Sequence, residues 1–189
     1  MSSFRLVLCT MLVACAFAGK ESYKKNPNAY AEDQQNFKRQ NISFMTSVQQ
    51  TFYVRRRDYN TNTSYRCLSA RQVFKHGNGS YEYTLKARYL GRYRPYNVTM
   101  TPKKTGNHTF ENSAYYEEFP GKGATHHKLM TTNDEHTCFL FATEYTPGVY
   151  GCLLVVTEDI VKKQIPKECL MVYKEQCQRG VDLYRKKCV

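Results

Sequence analysis

The chain has 189 residues, with 28 lysines and arginines against 16 acidic residues and a formal net charge of +12. That length suits one domain with its own core. The basic balance favours anionic partners such as acidic ligands, glycosaminoglycans or cell surfaces, and no segment beyond the N-terminus is apolar enough to be transmembrane.

Arg5 precedes an apolar run from Leu6 to Phe17, and Ala16-Phe17-Ala18 is an A-x-A cleavage step. The pattern reads as a secretory signal over residues 1–18, with a mature domain over 19–189. The product is expected to be secreted and extracellular, which argues against nucleic acid as a partner. Cys9 and Cys15 leave with the signal, and Cys67, Cys138, Cys152, Cys169, Cys177 and Cys188 remain. An even number in an exported chain points to three disulfides. No C-x₂-C pair favours zinc instead. Five N-x-[S/T] sequons, at Asn41, Asn62, Asn78, Asn97 and Asn107, mark expected surface glycosylation.

Residues 28–37 pattern as one amphipathic helix. From Thr51 the period moves toward two. Strands are expected at Thr51–Tyr59, Tyr65–Lys75, Tyr81–Leu90, Tyr96–Thr101, Thr109–Glu118, Lys128–Thr132, Thr137–Glu144 and Val149–Thr157. The third alternates most clearly, with Tyr81, Tyr83, Leu85, Ala87 and Tyr89 on one face and Glu82, Thr84, Lys86 and Arg88 on the other. His76-Gly77-Asn78-Gly79 is a turn. A helix should run from Pro166, suited to the first helical position, to about Gly180. Cys169, Tyr173 and Cys177 then share one face. The two cysteines stand about 12 Å apart along the axis, beyond the ~7 Å reach of a disulfide. Both must reach elsewhere, and Cys138 and Cys152 are the near candidates. A Cys138–Cys152 bridge across the last hairpin is the alternative. Eight short strands with helix only at the ends predict an all-β antiparallel barrel or sandwich. The barrel is preferred, and eight strands enclose room for one small ligand.

Several residues together resemble the tick salivary lipocalins of the histamine-binding group. They are Cys67, Cys138, Cys169 and Cys188, the Phe52-Tyr53 strand, the Ile165-Pro166 step, and the block Tyr150-Gly151-Cys152-Leu153-Leu154-Val155. The resemblance covers most of the mature chain. It implies an eight-stranded lipocalin barrel with an N-terminal helix and a disulfide-pinned C-terminal helix. It also implies bridges Cys67–Cys188 and Cys138–Cys169, which leaves Cys152–Cys177. The function it implies is sequestration of a small host mediator, a biogenic amine such as histamine or an eicosanoid or fatty acid, to suppress host inflammation and defence. Some members of the family bind complement protein instead. Two departures matter. Amine-binding members carry an acid right after the cysteine matching Cys138 and another in the last strand, where this chain has Phe139-Leu140 and Cys152-Leu153. A buried ammonium without a carboxylate is expensive. Tryptophan is absent, and 16 tyrosines are available as ring walls.

No catalytic signature is present, so neither enzymatic turnover nor a cofactor is expected. His126-His127 would need His136 to hold a metal, but adjacent strand residues face opposite ways, and no metal site is expected. In Arg55-Arg56-Arg57, either Arg56 or the flanking pair should face inward on a regular strand. An interior guanidinium would suit a carboxylate bidentately; a solvated run past the barrel mouth is the other reading. The candidate ligand-binding set is Phe52, Val54, Arg56, Asp58, Tyr83, Tyr89, Phe110, Tyr115, Phe139, Phe141 and Glu144. Asp58 and Glu144 are its amine partners. The missing acids and the basic charge tilt the expectation toward an acidic lipid. The alternative is a filled barrel whose surface binds a host plasma protein or heparin-like glycan, with steep salt dependence.

Overall fold

The computed structural model describes residues 25–188, so the expected signal at 1–18 lies outside the described residues. Eight antiparallel strands follow one another around a closed barrel: β1 Phe52–Arg57, β2 Arg66–Lys75, β3 Tyr81–Tyr89, β4 Arg92–Lys103, β5 Ser113–Tyr116, β6 Thr125–Thr132, β7 Cys138–Thr146 and β8 Val149–Thr157. β1 closes it, pairing with β8 along most of its length and with β2 at Phe52–Ala70. A ninth short strand, β9 (Val181–Asp182), adds to β1 at Arg56 and Arg57.

The longest apolar runs have a simple cause. On β7, Cys138, Leu140 and Ala142 face outward into one buried cluster, while Phe139 and Phe141 face inward into another. β8 does the same, with Cys152, Leu154 and Val156 outside and Leu153 and Val155 inside. Strands covered on both faces read as continuous hydrophobic sequence. The outer cover is an N-terminal segment, including α1 (Pro27–Glu32), and a C-terminal helix (Lys167–Gln176).

Three bridges fix that cover: Cys67–Cys188, Cys138–Cys169 and Cys152–Cys177. The C-terminal helix is shorter than expected. It stops at Gln176, and Cys177 is already extended (φ −114°, ψ 157°), its N–H held by the Tyr173 carbonyl. From there the chain turns at Gly180 (φ +63°) into β9. A Cβ at Gly180 would collide with the Tyr173 hydroxyl and lie 2.6 Å from the Arg57 carbonyl oxygen. Gly180→Ala should therefore destabilise the protein by at least the ~1–3 kcal/mol of a non-glycine residue held in the left-handed region. Thermal melting checks this; an unchanged midpoint would mean the turn can relax.

Other boundaries differ for local reasons. The expected helix over 28–37 breaks at Asp33, whose backbone is extended and whose carboxylate accepts from Gln35 N–H, starting a 3₁₀ helix at Gln34–Arg39. β4 begins at Arg92, four residues before its expected start, because Leu90 and Gly91 both have positive φ and close a two-residue hairpin from β3. Pro95 is tolerated within β4 because β5 pairs only with Thr101–Lys103, leaving that edge open. β5 keeps only the middle of its expected span. Residues 104–112 form a loop held by Asn112, whose side chain accepts from Thr105 N–H and donates to the Thr105 hydroxyl. No helix among the described residues is long and apolar enough to cross a membrane.

Candidate ligand-binding site

A bulge in β1 decides what the barrel contains. Val54 stands opposite Val155, but the next pairs are Arg56 with Leu154 and Arg57 with Leu153. Arg55 is the extra residue, so inward facing passes from Val54 to Arg57 instead of Arg56. Arg56 consequently points out. Its Nε donates to Asp182 Oδ1 at 2.6 Å and its Nη2 to Oδ2 at 3.1 Å, and the guanidinium lies over the Tyr173 ring. That hydrogen bonding holds the Asp182 carboxyl below its ordinary value. Arg55 is also outside, donating to the Val161 carbonyl at 2.7 Å.

Arg57 is 2% exposed. Its Nη1 lies 3.3 Å from Glu118 Oε1, and its Nη2 donates to the Asn60 carbonyl at 3.2 Å. Glu118, 14% exposed at its side chain, also accepts from the Tyr59 hydroxyl at 3.0 Å, and His127 Nε2 lies 3.7 Å from it. Tyr96 donates to the Glu118 carbonyl, and Tyr116 stacks on His127 at 4.2 Å. Burial, reinforced by Glu118, raises the phenols of Tyr59, Tyr96 and Tyr116, Tyr96 to about 12. All three therefore stay neutral at physiological pH, and Tyr59 and Tyr96 donate to Glu118. Two buried nitrogens, Arg57 Nε and His127 Nε2, have no hydrogen-bond partner among the described residues.

This polar corner borders a cavity of about 300 Å³ inside the barrel. The remaining wall is mostly apolar: Phe52, Val54, Leu68, Leu85, Phe141, Leu153 and Val155. Arg94 and Lys86 line it at the exposed rim and make no ion pair among the described residues. Past Tyr65 and Phe119 the cavity meets an outer groove of about 810 Å³, walled by the β1–β2 loop, the β5–β6 loop and the β7–β8 turn. The barrel is thus not filled.

Of the expected site residues, Phe52, Val54 and Phe141 line the cavity. Tyr83 and Phe139 belong to the inner cluster but not to the cavity wall. Tyr83 donates to Gln72, and Phe139 packs edge-on to Phe52. Arg56 lies outside because of the bulge. Asp58 sits at the seam with the C-terminal segment, accepting from Cys152 N–H at 2.6 Å and Gln178 N–H at 2.7 Å; burial raises its carboxyl. It approaches Cys152 and Cys177, but their sulfurs are joined to each other, so the trio offers no thiolate to a metal. Glu144 binds the Gly148 N–H of its own turn and reaches only the outer groove. Tyr89 stacks behind Tyr65. Phe110 packs with Phe37 and His108 below β5. Tyr115 faces out beside His126 because Ala114 and Tyr116 take the inward positions. His126 is thereby outside and His127 inside, while His136 stacks on Phe44.

Glu118 and His127 went unanticipated as site residues. Glu118 ends a predicted strand two positions after Tyr116, and that spacing was the available signal. No curated protein matches the chain in sequence. Among solved structures, japanin from Rhipicephalus appendiculatus bound to cholesterol superposes with a TM-score of 0.54 at 14% identity, covering 75% of this chain and 96% of that one. AM182 in complex with serotonin gives 0.54 at 14% identity, over 87% and 94%. The cockroach allergen Per a 4 gives 0.51 at 14%, over 76% and 89%. These likenesses establish a lipocalin-like fold. The family model described as tick histamine binding protein matches residues 30–189, and the chain belongs to that family.

Proposed function

We propose that this protein is a secreted scavenger that binds one small amphipathic acid, an eicosanoid or fatty acid, inside the barrel and lowers its free concentration in the host without turnover. The carrying observation is Arg57, a guanidinium turned inward among apolar walls, with Arg94 at the rim. A hydrocarbon chain would lie against Phe52, Leu85, Phe141 and Leu153, and a carboxylate would meet the guanidinium groups. Arg57 is already matched by Glu118, so the pair alone has no preference of sign; Arg94 and Lys86 tip the lining toward an anion. Four of the five sequon asparagines are exposed and Asn41 is partly so, in keeping with a glycosylated extracellular protein.

A second reading rests on Glu118 itself. It is a carboxylate in the cavity wall and could meet an ammonium such as histamine or serotonin, after releasing Arg57 or Tyr59. Calorimetric titration of the disulfide-bonded mature protein with arachidonate, a leukotriene, histamine and serotonin separates the two. The acids are expected to bind, and Arg94→Gln to weaken them roughly 10- to 150-fold, the equivalent of about 1.5–3 kcal/mol for a charged hydrogen bond. Amines binding more tightly than the acids would overturn the acidic-ligand reading in favour of Glu118.

A further inference from the structure

The outer face of β2–β4 carries basic charge that no acid among the described residues pairs with. Tyr81, Tyr83 and Leu85 belong to the inner cluster, so the alternate residues Thr84, Lys86 and Arg88 take the outward positions; Lys86 is exposed and also borders the cavity mouth. Their cross-strand partners on β2 are Arg71, Ser69 and Arg66. Arg66 and Arg88 stand directly opposite one another, an arrangement that destabilises a sheet. The C-terminal tail adds more. Its end is held against this face by the Cys67–Cys188 bridge, by Arg88 donating to the Lys187 carbonyl at 3.2 Å, and by Tyr93 donating to the Cys188 carbonyl at 2.9 Å. Arg185, Lys186 and Lys187 are all exposed. None of Arg71, Lys86, Arg88, Arg185, Lys186 and Lys187 makes an ion pair among the described residues. The one acid among the outward residues of β3, Glu82, lies at the far end, near His76 and bonded to Asn97. Among the described residues the helices pack on β6–β8 and not on this side.

We infer that this face, from Arg71 through Lys86 and Arg88 to the pinned tail, binds a linear sulfated polysaccharide of the heparan sulfate type. The cations form a row along the barrel, with successive outward positions about 7 Å apart on a strand. A row suits a linear polyanion. Two large rings stand on these rows. Tyr93 is tied to the tail, and Phe74, 57% exposed, sits opposite Glu82 at the far end beside His76. The rings are thus split between the two ends of the row and form no single apolar patch to anchor a membrane. Such binding would hold the scavenger at a cell surface or matrix while its cavity stays open. It is independent of which small ligand the barrel takes.

The test is binding of a size-defined heparin octasaccharide to the full disulfide-bonded protein, measured from 50 to 300 mM NaCl. Wild type should bind, with log K falling linearly in log salt as counterions are released. Arg71→Glu with Lys186→Glu should weaken binding at least tenfold and flatten that slope. Lys38→Glu with Lys174→Glu makes the same change in net charge on exposed residues of the opposite, helical side, and should shift affinity less than threefold. Equal losses in both double variants would reduce the effect to net charge and overturn the assigned surface, as would no binding at physiological salt. Tighter capture by phosphatidylserine vesicles than by heparin would overturn it in favour of a membrane. Enzymatic removal of N-glycans should not weaken heparin binding, because Asn97 lies on the β4 side of the row; a loss would also count against it. Unchanged titration of the small ligand in each variant shows the cavity intact and keeps the two functions separate.

Discussion

Arg57→Met is expected to cost about 3–5 kcal/mol, because it leaves the Glu118 carboxylate inside the barrel without its cation. The midpoint of thermal unfolding should fall by roughly 2–4 °C per kcal/mol for a chain of this size. Glu118 would keep the Tyr59 hydroxyl, so the lower end of the range is the better expectation. Arg57→Met combined with Glu118→Leu should recover most of that loss, since replacing both members of a buried pair by apolar groups is often neutral or stabilising. The double variant separates folding from binding. It should fold yet lose affinity for a carboxylate ligand, because the inner guanidinium is gone and only the exposed rim cations Arg94 and Lys86 remain. If Arg57→Met melts like the wild type, the pair is solvated through the outer groove and cannot be a desolvated anchor. If the double variant still binds an acidic lipid at full strength, Arg94 or the apolar walls alone carry the affinity.

The same residue shows how far the sequence could be read. The Arg55-Arg56-Arg57 run marks a charge at the barrel wall, and period two says that neighbours alternate. It does not say where the alternation skips. The bulge at Arg55 arises from how β1 meets β8, a strand about a hundred residues further along the chain, and no local signal announces it. Tyr115 and Tyr116 pose the same problem: one position decides between solvent beside His126 and the cavity beside His127. Strands were legible wherever burial on both faces wrote a continuous apolar run, as in β7 and β8, or a clean alternation, as in β3. Phe110 was misleading because a large ring in an extended-looking segment reads as strand. The asparagine-held loop before Ser113 delays the start of that strand and leaves the ring in the loop, against Phe37 and His108. Glu118 was hidden for a different reason. An acid at a strand terminus is usually solvated, and only the arrival of Arg57 and Tyr59 from across the barrel makes it an interior group. The pinned helix was legible in outline because Cys169 and Tyr173 share a face, although Cys177 reaches Cys152 from just beyond the helix end.

Removing the bridges one at a time should distinguish what each does. In the chain-entropy account a closed loop of about 25–30 residues is worth roughly 3–4 kcal/mol and one above a hundred residues nearer 5. The sequence separations are 25 for Cys152–Cys177, 31 for Cys138–Cys169 and 121 for Cys67–Cys188. Counting unfolded-state entropy alone, Cys67→Ser with Cys188→Ser should be the most damaging pair. The folded state argues the other way. Cys188 anchors a tail whose last residues bond to β3 and β4 through one arginine and one tyrosine, so that tail can detach while the barrel stays closed. Cys138–Cys169 and Cys152–Cys177 instead hold the C-terminal helix over strands whose outer face is Leu140, Ala142, Leu154 and Val156. Losing either exposes apolar surface that the barrel cannot cover otherwise. The expected order of melting is therefore Cys67/Cys188 variant highest, with the two helix staples below it and about 3 kcal/mol or more under wild type. The Cys67/Cys188 variant should also lose heparin affinity, because its basic tail is no longer fixed beside Arg88, while its cavity still takes the small ligand. If instead that variant melts lowest of the three, the tail is an integral part of the barrel's closure and its charges cannot be treated as a movable extension of the surface.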